Sequence, residues 1–394
     1  MIGHRSLGYF NDHYSKIGKL NLIINDCTLR EGEQSPFVNF RPEQKLRLAK
    51  RLSDLGVHQI QVGYPGLSKT DLEIFQELKT WRLAARLEAV ILGYLPNWEQ
   101  QIEATIASGA SVAMIVYVTS TPRRKEVFRV TDEEARARIV ELVSRVKAAG
   151  LTVSFAPADT TRTELPFLLD MIAAAQTAGA DRIFIADSLG CSTPGGIRWL
   201  YEKVREACSL PLQYHGHNDF GLALANALTG IECGATIVDT TLNGWGDRTG
   251  NPPTEELVAA LELLYQNPTG VDIVGIAQLA REVAHELDAP VSPMKPITGS
   301  LAFAHKLESH VQAVLRHPPA FESFDPAIVG GRRQVALGQY SGPEGVAARL
   351  EQAGISLDPK SLPRLVDRVR EAARETNRVL DDTDLRHLIS ELRG

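Results

Sequence analysis

The chain of 394 residues contains few cysteines and no long hydrophobic segment. Its four cysteines, Cys27, Cys191, Cys208 and Cys233, include no CxxC spacing, so a disulfide framework is not predicted. No stretch has the length and apolarity of a membrane span, and Met1–Arg5 lacks the apolar core of a secretion signal. We therefore expect a cytoplasmic protein with reduced thiols and no membrane partner.

The sequence also lacks an excess of positive charge. Its 42 Lys and Arg residues face 48 Asp and Glu residues, a formal net charge of −6, which argues against a nucleic-acid partner. An acidic substrate would then be bound by local groups rather than by the overall field. No glycine-rich phosphate fingerprint follows the first predicted strand, which disfavours a nucleotide-binding fold.

Short apolar runs recur along the first 285 residues, and segments of helical periodicity alternate with them. Pro42–Leu55, Thr131–Ala149 and Leu165–Ala178 are such segments, and several helical segments end in glycine, as helix C-caps do. Eight strand–helix units in about 250 residues predict an α/β fold, a (β/α)₈ TIM barrel, with an open doubly wound sheet as the alternative. The predicted strands are Leu20–Asn25, His58–Gly63, Leu87–Leu92, Val112–Tyr117, Leu151–Phe155, Arg182–Ala186, Leu212–His215 and Thr236–Thr241.

The two ends of the chain do not show this alternation of apolar runs and helical segments. Residues 1–19 are polar and predict a loose N-terminal extension before a barrel over 20–285. Beyond it, a Pro- and Ser-rich linker at Ala289–Ser300 leads to a helical segment at His305–Leu315. The tail from 344 to 393 predicts two or three amphipathic helices. Residues 286–394 are thus expected to form a smaller, mostly helical accessory region.

Polar side chains follow strands seven, eight and one, which are neighbours in a closed barrel. His215 and His217 lie two residues apart at the end of strand seven, so their rings point to one face. Asp26–Gln34 follows strand one, and Asn243–Asn251 follows strand eight. TIM barrels carry their active sites at this edge. One carboxylate and two imidazoles with open positions predict a catalytic divalent metal ion, without selecting among Zn, Mn, Co and Mg.

Three motifs resemble those of the DRE-TIM metallolyase superfamily. Asp26–Gln34 resembles D-x-T-L-R-[DE]-G-x-Q, His215–Asp219 resembles H-x-H-N-D, and Gly246–Asn251 resembles G-E-R-x-G-N. The run from Ala302 to Leu315 resembles the homocitrate synthase segment A-F-x-H-K-x-G-I-H-x-x-A-x-L. Such an accessory region is characteristic of the family's homocitrate and 2-isopropylmalate synthases and absent from its lyases. The resemblance therefore points to the synthase branch.

The resemblance implies a Claisen-type condensation of acetyl-CoA with a 2-oxo acid, followed by thioester hydrolysis to a 2-substituted malate and CoA. It implies a divalent metal ion and, as catalytic groups, Arg30 for the oxyanion and His310 as the general base or part of its relay. His310 would enter the neighbouring subunit's site in a swapped homodimer. The implied metal ligands are Glu31, His215 and His217, with Asn251 in or near the shell. The alternatives are a lyase of the hydroxymethylglutaryl-CoA type and a non-catalytic homologue.

Several positions depart from the synthase pattern. Phe321 stands where the family has an acid–base tyrosine, so that role is lost or passes to water or Tyr340. Glu308, two residues before His310, is expected to raise the pKa of that histidine or to orient it. Ala158 and Gln61 stand where glutamates are usual, which makes the barrel mouth less acidic.

A less acidic mouth favours a more anionic acceptor. Arg123 and Arg124 follow strand four and either supply basic groups there or form a solvated surface. We therefore expect an acceptor with a second acidic group, such as phosphonopyruvate, as well as the acceptor of homocitrate synthases. The predicted substrate-binding residues are Gln34, Gln61, Tyr94, Asp159, Arg162 and Ser188.

Overall fold

The computed structural model of the chain describes Arg5, Gly8, Asn11 and residues 20–392. The predicted N-terminal extension therefore lies, apart from those three positions, outside the described residues. Contacts divide the chain into two compact units, one comprising Phe10–Pro290 and the other built mainly from Val291–Gly394. The division falls close to the predicted limit at residue 285. Within the described part of the chain, no helix is both long and apolar enough to cross a bilayer.

The larger unit is a closed barrel of eight parallel strands in sequence order, with β1 paired to β8. This closure confirms the TIM barrel and excludes the open sheet. All eight predicted strands are present, with their ends shifted. The strands are β1 Ile23–Asp26, β2 Gln59–Gly63, β3 Arg86–Leu92, β4 Val112–Val118, β5 Thr152–Ala158, β6 Arg182–Asp187, β7 Leu212–Gly216 and β8 Ala235–Thr240.

Helices connect successive strands, and the sequence predicts their starts well. The helix after β4 begins with the predicted capping box, in which Thr131 Oγ1 accepts the Glu134 N–H and the Glu134 carboxylate accepts the Thr131 N–H. The helices are α1 Pro42–Asp54, α2 Lys69–Thr80, α3 Trp98–Ser108, α4 Asp132–Ala148, α5 Leu165–Thr177, α6 Pro194–Ala207, α7 Ala223–Glu232, α8 Thr254–Leu263 and α9 Ile273–Glu286.

Two kinds of side chain fill the barrel. On β3 to β6, an apolar cluster of Val90, Met114, Ala156, Phe184 and Ala186 is buried. A polar network is buried on β1, β2, β7 and β8 and extends onto β3 and β6. Because buried polar groups need partners, this network fixes the side chains that lie beneath the barrel mouth. Its members include Asn25, Gln61, Glu88, Arg182, Gln213 and Asp239.

The smaller unit packs helices around its own apolar core, to which Leu337, Val346 and Leu365 belong. The described helices are α10 Glu308–Arg316, α11 Pro343–Gln352, α12 Leu362–Thr376 and α13 Asp382–Glu391. The last three confirm the prediction for the tail. The predicted helix His305–Leu315 is wrong at its start, because Ala304–His305 forms a short parallel strand, β9, with β10 at Gln334–Val335.

Candidate active site

Three predicted metal ligands converge at the C-terminal mouth of the barrel. Glu31 follows β1, His215 lies near the end of β7, and His217 lies just beyond it. One ligand atom of each lies within 4.8 Å of the other two. His217 Nε2 is 3.4 Å from His215 Nε2 and 3.6 Å from Glu31 Oε1. One carboxylate oxygen and two imidazole nitrogens form a typical donor set for a catalytic divalent cation.

An unpartnered oxygen of Asn251 supports a cation at this position. Asn251 Oδ1 is buried and has no hydrogen-bond partner among the described residues, while its Nδ2 donates to the Gly216 carbonyl at 3.0 Å. A Cβ at Gly246 would lie 2.0 Å from this Oδ1, so a side chain at position 246 would displace the amide. The donor set of Glu31, His215, His217 and Asn251 therefore fits a divalent metal ion.

Asp239 on β8 orients His215. Asp239 Oδ2 lies 3.1 Å from His215 Nδ1, which leaves His215 Nε2 to face the other ligands. Asp239 Oδ1 accepts hydrogen bonds from Asn25 at 2.8 Å and Gln213 at 2.5 Å. Asp239 is not among the residues predicted from the sequence, although a carboxylate inside the apolar run of β8 is a usable signal.

His217 is held in the protonation state that binds metals. Burial, together with the neighbouring His215 and Arg248, lowers the pKa of His217 to about 3. A histidine coordinates through an unprotonated nitrogen. At neutral pH the ring therefore needs to lose no proton before it coordinates.

Arg30 lies beside Glu31 and is buried at the base of the mouth. Its guanidinium pairs with the Glu31 carboxylate, donates to Gln61 Oε1 at 2.5 Å and lies 3.5 Å from the Tyr64 hydroxyl. Two of these partners are uncharged, so part of the guanidinium's positive charge remains available to a negatively charged reactant.

Gln61 supports Arg30 and does not face the cavity. Its Nε2 donates to Glu88 at 2.8 Å, and Glu88 pairs with Arg182 at 2.6 Å. The Gln61 side chain is fully buried and both ends of its amide are engaged within the barrel. The predicted substrate contact of Gln61 is therefore corrected: this residue positions Arg30.

A cavity of about 200 Å³ opens beside the three ligands. One side of the cavity is lined by polar residues, and the facing side is lined by apolar residues. The polar side comprises Arg30, Glu31, Gln34, Ser188, His215, His217, Asp247 and Arg248. The apolar side comprises Val90, Leu92, Met114, Val116, Ala156, Ala158, Phe184 and Ala186, and Tyr64, Tyr94 and Arg123 complete the wall.

The remaining predicted substrate residues fall into two groups. Gln34, Tyr94 and Ser188 line the cavity, and Gln34 Nε2 lies 3.2 Å from Glu31 Oε2. Asp159 and Arg162 are not among the lining residues and form an ion pair with each other at 2.6 Å. Their substrate contacts stay a prediction, and the structure shows the two charges paired with each other.

The structure separates the two arginines that follow β4. Arg124 is buried, pairs with Asp132 and lies 3.8 Å from the centroid of the Phe167 ring. Arg123 instead lines the cavity. The pair is therefore not a solvated surface: Arg124 anchors the segment Pro122–Val127, and Arg123 faces the candidate site.

His310 and Phe321 of the smaller unit stack on each other, with ring centroids 4.2 Å apart and an interplanar angle of 28°. Glu308 contacts a neighbouring helix. Its carboxylate accepts the backbone N–H groups of Gly342 at 2.6 Å and Glu344 at 3.0 Å, at the start of α11. Residues two apart on a helix do not face each other, so these contacts favour a structural role for Glu308, and its expected influence on His310 stays a prediction.

Two family models match the chain. The HMGL-like model matches residues 21–283, and the model of the homocitrate synthase post-HMGL domain matches residues 297–377. The first match covers the barrel, and the second covers most of the described smaller unit.

Full-length relatives agree with these matches. The chain is 34% identical over 390 residues to a homocitrate synthase of Methanothermobacter thermautotrophicus, covering 98% of each. It is 36% identical over 371 residues to a probable 2-isopropylmalate synthase of Ignicoccus hospitalis, covering 94% of this chain and 92% of the relative. A solved HMG-CoA lyase of Bacillus subtilis shares the fold, with a TM-score of 0.62 at 18% identity over 70% of this chain and 96% of the lyase. The chain thus belongs to the HMGL-like family of DRE-TIM metallolyases, as an enzyme of the branch that contains the homocitrate and 2-isopropylmalate synthases.

Proposed function

We propose that this enzyme condenses acetyl-CoA with a 2-oxo acid and hydrolyses the thioester to give a 2-substituted malate and CoA. The observation that carries the proposal is the cluster of Glu31, His215 and His217 beside a buried guanidinium at the barrel mouth. The names of the relatives, homocitrate synthase and probable 2-isopropylmalate synthase, support the same reaction type.

The residues of the mouth have distinct proposed roles. A divalent cation held by the four donors would supply Lewis acidity at the keto group of the acceptor. Arg30 would stabilise negative charge that develops on the keto oxygen, since its guanidinium is already fixed in place. The Ser188 Oγ accepts the Asp159 N–H at 2.9 Å, so its own hydroxyl hydrogen is available to the acceptor's carboxylate.

The proposed reaction balances without a further reactant besides water. A base removes a proton from the methyl carbon of acetyl-CoA, this carbon bonds to the keto carbon, and the keto oxygen takes up a proton. Water then cleaves the thioester into a carboxylate and the thiol of CoA. We propose His310 as the base or part of its relay, acting at the partner's barrel in a swapped homodimer. Because the phenyl ring of Phe321 cannot carry a proton, the acid–base role of the family's tyrosine would pass to water or Tyr340.

We also propose that the acceptor has a second acidic group, as 2-oxoglutarate and phosphonopyruvate have. Ala158 lines the cavity at the position where synthases usually carry a glutamate. A second anion on the acceptor would therefore meet a methyl group rather than a carboxylate at position 158.

A thiol-release assay tests this function directly. The metal-loaded enzyme is mixed with acetyl-CoA and a panel of 2-oxo acids, and free CoA thiol is measured with an EDTA-treated sample and a sample without acceptor as controls. Acceptor-dependent thiol release, with the condensed acid identified by mass, supports the proposal. If no acceptor causes release of CoA thiol, the proposal is wrong. Formation of acetyl-CoA from a 3-hydroxyacyl-CoA would identify a lyase instead.

A further inference from the structure

Three arginines line the cavity, and two of them already have acidic partners. Arg30 pairs with Glu31, and Arg248 pairs with Asp219 at 2.8 Å and with Asp247. Arg123 is half-buried in the wall, and its guanidinium makes no hydrogen bond or ion pair with another described residue. A positive charge in a confined cavity without a counter-charge is a candidate binding group for an anion.

The charges near Arg123 leave it uncompensated. Asp159 is an acidic group near Arg123: after its hydrogen bonds with Arg162 and Ser120, the positive charge of Arg123 helps to lower the pKa of its carboxyl. However, the Asp159 carboxylate already accepts hydrogen bonds from Arg162 and Ser120, each at 2.6 Å. Two cations thus lie near one engaged anion, which leaves a local surplus of one positive charge.

Arg123 stands across the barrel mouth from the metal-ligand cluster. In the closed strand order, β4 lies four strands from β8, while the ligands extend from β1 and β7, the two neighbours of β8. The cavity wall between these positions is apolar and includes Val90, Val116 and Ala156. An acceptor held at the cluster would pass aliphatic carbons over this wall before reaching Arg123.

The backbone that presents Arg123 is held in place. Pro122–Val127 forms a single π-helical turn after β4, a feature that is frequent at functional sites. The next residue, Arg124, is 1% exposed, donates to the Thr119 carbonyl at 3.3 Å and pairs with Asp132. The backbone at Arg123 is therefore fixed before a ligand binds, which lowers the entropic cost of ordering the Arg123 side chain on a ligand.

We infer that Arg123 binds the distal anionic group of the acceptor and thereby determines which 2-oxo acid the enzyme selects. A guanidinium binds a carboxylate or a phosphonate through paired hydrogen bonds. The inference rests on the proposed condensation and names its acceptor class: a 2-oxo acid whose aliphatic side chain ends in an anion. The phosphates of CoA are the competing ligand, and the test below separates the two.

Substitutions at one turn of the chain provide the test. Arg123→Met removes the charge, Arg123→Lys retains it, and Lys125→Met is the matched control, because Lys125 is exposed in the same turn and does not line the cavity. The kcat/KM is measured with 2-oxoglutarate and phosphonopyruvate, and with 2-oxoisovalerate as an acceptor without a distal charge. The KM for acetyl-CoA and the metal content are measured in parallel.

For each acceptor with a distal anion, 2-oxoglutarate or phosphonopyruvate, kcat/KM is divided by kcat/KM for 2-oxoisovalerate. We expect Arg123→Met to lower this ratio by at least about 30-fold, as loss of a charge-assisted hydrogen bond does. Arg123→Lys should recover part of the ratio, and Lys125→Met should match the wild type. The relative losses with 2-oxoglutarate and phosphonopyruvate show whether a carboxylate or a phosphonate is the natural group. An unchanged ratio overturns the inference, and so does a rise confined to the KM for acetyl-CoA.

Direct binding keeps this test separate from the proposed reaction. Calorimetric titration of 2-oxoglutarate and 2-oxoisovalerate into the Mn²⁺-loaded protein needs no turnover. The inference predicts that the wild type favours 2-oxoglutarate and that Arg123→Met removes the preference. If no acceptor gives thiol release but this pattern holds, the proposed reaction fails and the anion subsite stands. If the wild type turns over acceptors but shows no such preference, the subsite fails alone.

Discussion

The residues of the mouth are arranged in pairs. In each pair, one side chain faces the cavity, and a second, more deeply buried side chain forms a hydrogen bond with the first. His215 faces the cavity and Asp239 holds its Nδ1, while Arg30 faces the cavity and Gln61 holds its Nε. The supporting residues are buried and bound to one another, since Asn25 donates to both Glu88 and Asp239. A change in a supporting residue should therefore alter the chemistry above it without touching the substrate.

Gln61→Met tests this arrangement. Loss of the amide leaves Arg30 without its Nε acceptor and removes one of the three donors to Glu88, beside Asn25 and Arg182. We therefore expect kcat to fall roughly 10- to 100-fold with little change in KM. The unfolding free energy should fall by about 1–3 kcal/mol, because a buried carboxylate loses a hydrogen bond. Steady-state kinetics and urea unfolding measure the two effects. Exposed Gln278→Met is the control, and a variant with unchanged kcat but lower stability would leave Gln61 with a purely structural role.

At this scale the sequence predicts which residues face the site better than it predicts what each one contacts. Glu31, His215 and His217 lie at strand ends in recognisable motifs, and the structure brings them together. Asn251 donates to the carbonyl of Gly216, which lies between the two histidines. The role of Gln61 cannot be predicted from the sequence. Alternation along a strand places its side chain inside the barrel but does not show how far that side chain lies from the mouth. Arg123 and Arg124 are adjacent and chemically identical, so only tertiary contacts, such as those of Arg124 with Phe167 and Asp132, distinguish them.

At the scale of helices and strands, local patterns predict the barrel closely and fail where distant segments pair. Strand β5 continues through Pro157 to Ala158 because it pairs with β4 along its whole length, whereas proline normally discourages a strand. In the smaller unit, pairing of Ala304 with Gln334 replaces the expected helical turn at His305. Such pairings join residues far apart in the chain and leave no trace in local periodicity.

Glu308 provides a prediction for one such element. Its carboxylate accepts backbone N–H groups at the start of α11, and a Cβ at Gly342 would lie 2.5 Å from its carboxyl carbon. Glu308→Ala should therefore destabilise the chain by about 1–2 kcal/mol in urea unfolding, as loss of a helix N-cap does. Glu308→Gln, which keeps an acceptor oxygen, should lose less. Unchanged stability with a shifted pH profile of kcat would restore the direct role beside His310.

At the scale of the whole molecule, the proposed swapped homodimer can be tested by mixing two inactive variants. His217→Ala disables the barrel's metal site, and His310→Ala disables the accessory unit's base. In a swapped dimer, a mixed pair combines the intact barrel of one chain with the intact accessory unit of the other. Random mixing after dissociation should then restore about a quarter of wild-type activity, since half of the dimers are mixed and each has one complete site. No recovery, with mixed dimers shown to be present, would contradict the swap.

Metal binding should also stabilise the molecule as a whole, because the proposed ligands join the first strand of the closed barrel to the seventh. Glu31 follows β1 and His215 lies on β7, and these two strands flank β8. An ion at 100 times its dissociation constant contributes about 2.7 kcal/mol to the folded state, which should raise the thermal midpoint by several degrees. Scanning calorimetry of EDTA-treated protein with and without Mn²⁺ measures this shift. His217→Ala should abolish the shift, and His387→Ala, which changes an exposed histidine of α13, should retain it. An equal shift in His217→Ala would place the stabilising ion elsewhere and remove the cluster as its site.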